Sequence, residues 1–213
     1  MNKEYTIQSK IFGIFKQPEE TFKNISEKDL RYASLIILVS ILLSSWAGVV
    51  YRSKIPTGVL FQRPLLAQMD QDLIRQNMII LGAVRETLST LLAWILPTLI
   101  IHLITQAFDG SGSLKRFFTM IGFSYIPMII QNFLRVIDAY TISPLQAGYL
   151  ITVNPGSGIA GIISQFLNIY TIFRVASISI SSHAISVNYQ LDRTRSLGMA
   201  FISYMIFLLP ALF

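Results

Sequence analysis

Residues 32–51 read YASLIILVSILLSSWAGVVY, and nothing in that run is charged. A helix of about 20 residues rises about 30 Å, the thickness of a bilayer's hydrocarbon core. The stretch therefore reads as a transmembrane helix, and the same reading extends along the chain. Leu88 to Phe108 is a second apolar run with Pro97 near its middle, and Phe117 to Ile137 a third with Pro127 similarly placed. Ile159 to Ile180 is a fourth, interrupted by Asn168 and Arg174, and Leu197 to Phe213 is a fifth. The expected fold is all-α, a polytopic membrane helix bundle of about five transmembrane helices.

Composition agrees. Hydrophobic residues make up 53% of the 213 positions and charged residues 13%, where a soluble domain carries about twice that charge fraction. The formal charge of +6 is dispersed around the apolar runs, so no basic face of a soluble domain exists to read nucleic acid. An excess of Lys and Arg is instead expected in cytoplasmic loops. There is no Cys, which excludes disulfides, thiol nucleophiles and Cys-based metal sites. Met1 to Lys16 has no continuous apolar core and no small-residue cleavage site, so it does not read as a signal peptide.

Residues 1–31 form a cytoplasmic amphipathic tail ahead of a transmembrane domain over 32–213. Ile7, Ile11, Ile14 and Phe15 recur at helical spacing, which suits a helix lying in the headgroup plane. Lys3, Lys10, Phe15 and Lys16 are its expected membrane-surface contacts. Pro18 restarts the chain, and Glu19 and Glu20 sit in the first turn of a second short helix. The stretch 52–87 reads as polar and irregular, holding a short surface helix around Leu65, Leu66, Met69 and Leu73 within segment 59–85. Ser181 to Ser196 reads as a polar connection. With the N-terminus cytoplasmic, that side holds six Lys and Arg in the tail, two at 115–116, and Arg193 and Arg195; the other holds five between 52 and 85 plus Arg135. The balance favours a cytoplasmic N-terminus and an outside C-terminus.

The motifs of catalysis do not assemble. Gly156-Ser157-Gly158-Ile159-Ala160-Gly161 spells G-x-G-x-x-G, but Pro155 precedes it where a strand is needed and no acidic residue follows at the ribose position. Small residues entering a membrane helix serve close packing. His102 and His183 have no second ligand at metal spacing, and no paired carboxylates converge. No enzyme activity, metal or cofactor is expected. Polar residues within spans are more informative, since burying them in lipid is costly. His102, Tyr125, Asn168, Tyr170 and Arg174 are the candidates for one intramembrane polar cluster, serving as a docking crevice or substrate path, or as glue between helices with Arg174 snorkelling to the interface. Pro97 and Pro127 at mid-span also fit the broken helices of transporters, although no internal repeat accompanies them.

Several positions taken together resemble a known family. The tail reads Ile14-Phe15-x-x-Pro18-x-x-Thr21-Phe22, the third span Phe117-x-x-x-x-Gly122-Phe123-Ser124-Tyr125-Ile126-Pro127, and the fourth Asn168-Ile169-Tyr170-Thr171-Ile172-Phe173. This order resembles the Yip-domain family (Ypt/Rab-interacting membrane proteins, the Yip-one group), with Pro18, Thr21, Phe22, Gly122, Tyr125 and Pro127 as the motif residues. The resemblance implies a five-helix membrane domain with a cytoplasmic N-terminus. Eukaryotic members bind Rab-type GTPases through a long N-terminal arm; the short tail here argues against GTPase binding and for a prokaryotic member. Arg174-Val175-Ala176-Ser177 departs from the more apolar, Gly-bearing family pattern.

The functional expectation is a non-catalytic scaffold or adaptor in a prokaryotic cytoplasmic membrane. Its partners would be the lipid bilayer and other membrane proteins, including ABC-type exporter components or a second copy of itself. An accessory exporter subunit and a small permease or lipid-moving protein are the rival expectations.

Overall fold

The computed structural model describes residues 6–56, 70–107, 110–146 and 170–208. Helix is the regular structure of these residues, and no strand occurs among them. Helices α1 (Ile7–Lys16) and α2 (Pro18–Lys23) form an N-terminal cap. Thr6 opens α1 by accepting the Ser9 N–H on its side chain, and Pro18 sits at the first position of α2, where its missing N–H costs nothing. A single 3-10 turn, Glu27–Asp29, leads into α3 (Leu30–Ser53).

Helix α3 buries Ala33, Ile36, Ile37, Ser40, Ser44, Ala47 and Gly48, a stripe spaced three and four apart, and leaves Leu35, Leu38, Leu42 and Trp46 outside. Small residues on the inner stripe and large apolar ones on the outer face suit a helix packed among helices and surrounded by lipid. Around α3 stand α4 (Gln71–Ala107), α5 (Leu114–Ser124) and α6 (Ile126–Thr141). Helix α7 (Thr171–Tyr189) packs on α5, α6 and the cap's α2, and α8 (Arg193–Leu208) packs on α7 and α4. The apolar core at the cap end is built from Ile14, Phe22 and Ile25 of the tail with Phe117, Met120, Ile185 and Tyr189 of the bundle.

Among the described residues, three helical stretches are long and apolar enough to cross a membrane: Glu27–Ser53, Asp72–Ala107 and Leu114–Thr141. The expected fourth and fifth spans extend over 159–169 and 209–213, which lie outside the described residues.

Several boundaries differ from the sequence reading. The polar, irregular segment expected before the second span is helical from Gln71 onward, so one helix of 37 residues runs through the end of that segment and the span; Leu65, Leu66 and Met69 of the expected surface helix lie outside the described residues. Asp70 caps it, its carboxylate accepting the N–H groups of Asp72 (2.9 Å) and Leu73 (3.4 Å). No proline interrupts the helix before Pro97. Of the two mid-span prolines, Pro97 lies inside this continuous helix. At the other, α5 ends at Ser124, Tyr125 takes φ −80 and ψ −3, and α6 restarts with Pro127 in its first turn. The polar stretch after residue 180 is not a loop: α7 continues to Tyr189, and the chain reverses at Gln190, whose φ of 55 ends the helix left-handed.

Candidate functional site

The cap is fastened by the residues of the tail motif. Thr21 donates its hydroxyl to the Gln17 carbonyl at 2.8 Å, and Gly13 lies against Thr21 where a β-carbon would collide. Lys10 Nζ meets Asp29 Oδ2 at 2.7 Å with the two side chains only 10% and 12% exposed, and the same carboxylate oxygen accepts the Ser26 N–H at 2.9 Å. Arg116, at the start of α5, donates to the carbonyls of Ile25 (3.0 Å), Phe22 (3.2 Å) and Lys23 (3.3 Å). Ser113 donates to Glu27 at 2.6 Å, and Lys115 stands 3.7 Å from the same side chain. The tail is thus docked on the bundle by buried rings and by one arginine that satisfies the carbonyls ending α2.

Lys10, expected at the headgroup surface, is turned inward to Asp29 instead; Phe15 and Lys16 are exposed on α1, with Phe12, Gln8 and Ser9, and Lys3 lies outside the described residues. The inward position of Lys10 follows from its place one turn before Ile14, on the stripe that faces the core.

Where α2 meets α7 and the start of α8 lie two adjoining crevices. One, of about 390 Å³, is lined by Glu19, Lys23, Arg116, Ser186 and Leu191. The other, of about 610 Å³, shares Glu19 and Lys23 and adds Glu20, His183 and Arg193. His183 Nε2 stands 3.3 Å from an Arg193 guanidinium nitrogen. Burial foremost, and then that guanidinium, push the imidazole below its ordinary value, against a smaller opposing pull from Glu19.

Deeper in the bundle, His102 Nδ1 and the Tyr189 hydroxyl are 2.7 Å apart, and the Tyr189 ring packs edge-on against Phe117. Asn188 donates to the Ser113 carbonyl at 3.2 Å, and Gly112 passes so close to Asn188 and Tyr189 that it has no room for a side chain. Tyr125 lies about 12 Å further along the α5 direction than Phe117, two helical turns away. There the Ser177 hydroxyl of α7 donates to the Ser124 carbonyl beside Tyr125. Tyr170 and Arg174 are half-buried on α7, and Asn168 lies outside the described residues. His102 therefore belongs to a knot at the cap end, and Tyr125 to a seam between α5, α6 and α7. Gly122 makes that seam possible on its other side: a β-carbon there would stand 2.6 Å from the β-carbon of Ala33 on α3.

Two polar features have no counterpart in the sequence reading. Asn132 of α6 donates to the hydroxyl (2.9 Å) and carbonyl (3.2 Å) of Ser40 on α3. At the far end from the cap, Glu86 of α4 stands between Arg52 of α3 (3.7 Å) and Arg135 of α6 (3.8 Å). Glu86 escapes notice in sequence because it falls just ahead of the apolar run beginning at Leu88. A signal was present: Gly48 precedes Arg52, and Gly82 precedes Glu86, by one helical turn each.

Long apolar helices with outward-facing Leu, Ile and Phe, small residues at helix contacts and interior polar groups bonded helix to helix define an integral membrane protein. The chain belongs to the Yip1 domain family, whose family model matches residues 12–213. It is also 26% identical, over 125 residues, to an uncharacterized protein of Methanocaldococcus jannaschii, an alignment covering 58% of this chain and 83% of that protein. No solved structure matches it.

Proposed function

We propose that this Yip1 domain protein is a non-catalytic adaptor that holds other membrane proteins in a prokaryotic cytoplasmic membrane, with its N-terminal cap in the cytoplasm. The archaeal relative supports the prokaryotic setting, and the Lys and Arg balance supports the orientation.

The observation that carries the adaptor reading is the length of α4. Its 37 residues make a rod of about 55 Å. A hydrocarbon core of about 30 Å accommodates about 39 Å of helix even at a tilt of about 40°. The C-terminal end of α4 is fixed at the cap side by the Gly110 turn, whose N–H bonds the Thr105 carbonyl at 2.8 Å. The excess of roughly 15 Å therefore lies at the other end, beyond the hydrocarbon. Leu73, Ile80 and Leu81 are exposed there, Leu81 by 67%. Apolar side chains held out past the lipid on a rigid helix are suited to a protein partner.

A photo-reactive residue placed at Leu81 is expected to form an adduct of defined mass with a second membrane protein in native membranes. The same residue at Leu92 or Leu103 is expected to form lipid adducts. An adduct with an ABC-type permease would identify the exporter-subunit role, and lipid adducts alone at Leu81 would overturn the adaptor reading.

A further inference from the structure

We propose that Arg52 and Arg135 form a binding site for the phosphate of a phospholipid headgroup, in the leaflet where α3 ends, with Glu86 as the resident carboxylate that holds the two guanidiniums in place.

Three helices converge to make the site. Arg52 comes from the last turn of α3, Glu86 from α4 and Arg135 from α6, and all three side chains are between 19% and 25% exposed. A built β-carbon at Gly48 would stand 2.6 Å from Arg52 Nη1, and one at Gly82 would collide with the same guanidinium. The backbones of α3 and α4 thus form a notch for this one side chain. Such a notch fixes a planar donor fork in a single orientation.

The charges do not close on themselves. Within 4 Å two guanidiniums face one carboxylate; Asp138, one turn along the same helix from Arg135, adds a second acidic side chain, and with Lys54 and Arg75 beside them the cluster stays net positive. Both nitrogen–oxygen separations, 3.7 and 3.8 Å, exceed the 2.7–2.9 Å of a charge-assisted hydrogen bond. A guanidinium has five N–H donors, in a geometry that matches phosphate oxygens in pairs. A singly charged phosphodiester between the two forks would offset part of that excess and give those donors short acceptors.

The depth of the site identifies the source of that phosphate. On the same end of the bundle, Trp46 donates its indole N–H to the Tyr140 hydroxyl at 3.2 Å, and both rings are more than half exposed. Exposed Trp and Tyr mark the headgroup level of a membrane protein. Lys54 lies about two turns beyond Trp46, bonded to the carbonyls of Tyr140 (2.6 Å) and Ile142 (3.0 Å), and Arg75 reaches back to the Ser53 carbonyl at 2.6 Å. The two guanidinium forks therefore stand where lipid phosphates stand.

The test uses the full chain, delipidated in detergent and titrated by native mass spectrometry. The probes are phosphatidylglycerol, a phosphate-free galactolipid with the same acyl chains, and inorganic phosphate alone. One phosphatidylglycerol is expected to bind more than tenfold tighter than the galactolipid, and Arg135→Gln is expected to remove that preference. Glu86→Gln keeps the shape but removes the competing charge, so it should tighten the phospholipid about tenfold. A carboxylate with a purely structural role would not change lipid affinity in that direction. Equal binding of the two lipids, indifference to both substitutions, or saturation by inorganic phosphate at the affinity of the lipid would overturn the assignment.

Discussion

Lys10 and Asp29 show how a single pair decides where the tail goes. Both are nearly withdrawn from solvent, so removing one partner strands the other charge. Lys10→Met or Asp29→Leu alone is expected to cost about 3 kcal/mol, while the double substitution recovers only the part due to the stranded charge, because the Ser26 N–H still lacks the carboxylate that accepts it. Thermal unfolding of the single and double variants in the same detergent checks this. Gly122 sets a different limit, since its neighbour Ala33 is held by its own backbone and cannot swing aside. Gly122→Ala should destabilise by about 1–3 kcal/mol, and Ala33→Gly in the same chain should recover only part of the melting temperature, since the Ala33 backbone stays close and a mid-helix glycine has its own cost. His183 adds a dependence on pH. Its folded value lies below its unfolded one, so the contact it makes is strongest above about pH 6.5 and weakens as pH falls through the folded value. Around it stand Glu19, Glu20, Lys23 and Arg193, and the site is open enough that the effect is small. Amide exchange in α2 should quicken on acidification from pH 7.5 to 5, and His183→Gln should flatten that response.

Among the elements, α4 departs furthest from what its sequence suggested. The mixture of Asp, Arg and Gln among Leu and Ile between 70 and 85 lowers hydropathy enough to look irregular, yet Gln, Leu, Arg and Met are good helix formers and Asp70 supplies a cap. Hydropathy reports where lipid lies and not where a helix begins. The same cause hid the last part of α7, where Ser182, His183 and Asn188 are polar because they face the cap and the turn preceding α5. The overhang of α4 can be measured directly, since the chain has no native cysteine. Leu73→Cys and Ile80→Cys should react with a membrane-impermeant maleimide, whereas Leu96→Cys and Leu103→Cys should stay unlabelled until the membrane is dissolved.

For the molecule as a whole, the apolar runs made the helical membrane class and the first span legible, and the short motifs around Pro18 and Gly122 made the family legible. Long-range pairings were not legible, because Arg52 with Glu86, or His102 with Tyr189, become neighbours only through helix packing. Two of the motif elements now have physical roles: Thr21 and Phe22 seat the cap, and Gly122 brings α5 onto α3. Orientation is a property of this scale too. Lys16→Cys should be labelled only after cells are permeabilised, and Lys54→Cys should be labelled in intact cells; the reverse pattern would invert the proposed topology.

The cap also bears on the order of events during synthesis. Chains emerge N-terminus first, so α1 and α2 are made before any helix they rest on. Their seat consists of Phe117 and Arg116 on α5, just past the midpoint of the chain, and the last turns of α7, which follow much later. Until then Phe22 and Ile14 have no pocket, and Lys10 must wait beside a membrane that is still being filled. The cap thus leaves the ribosome before its seat and settles after it, and its closure reports that the helices behind it have been inserted and assembled.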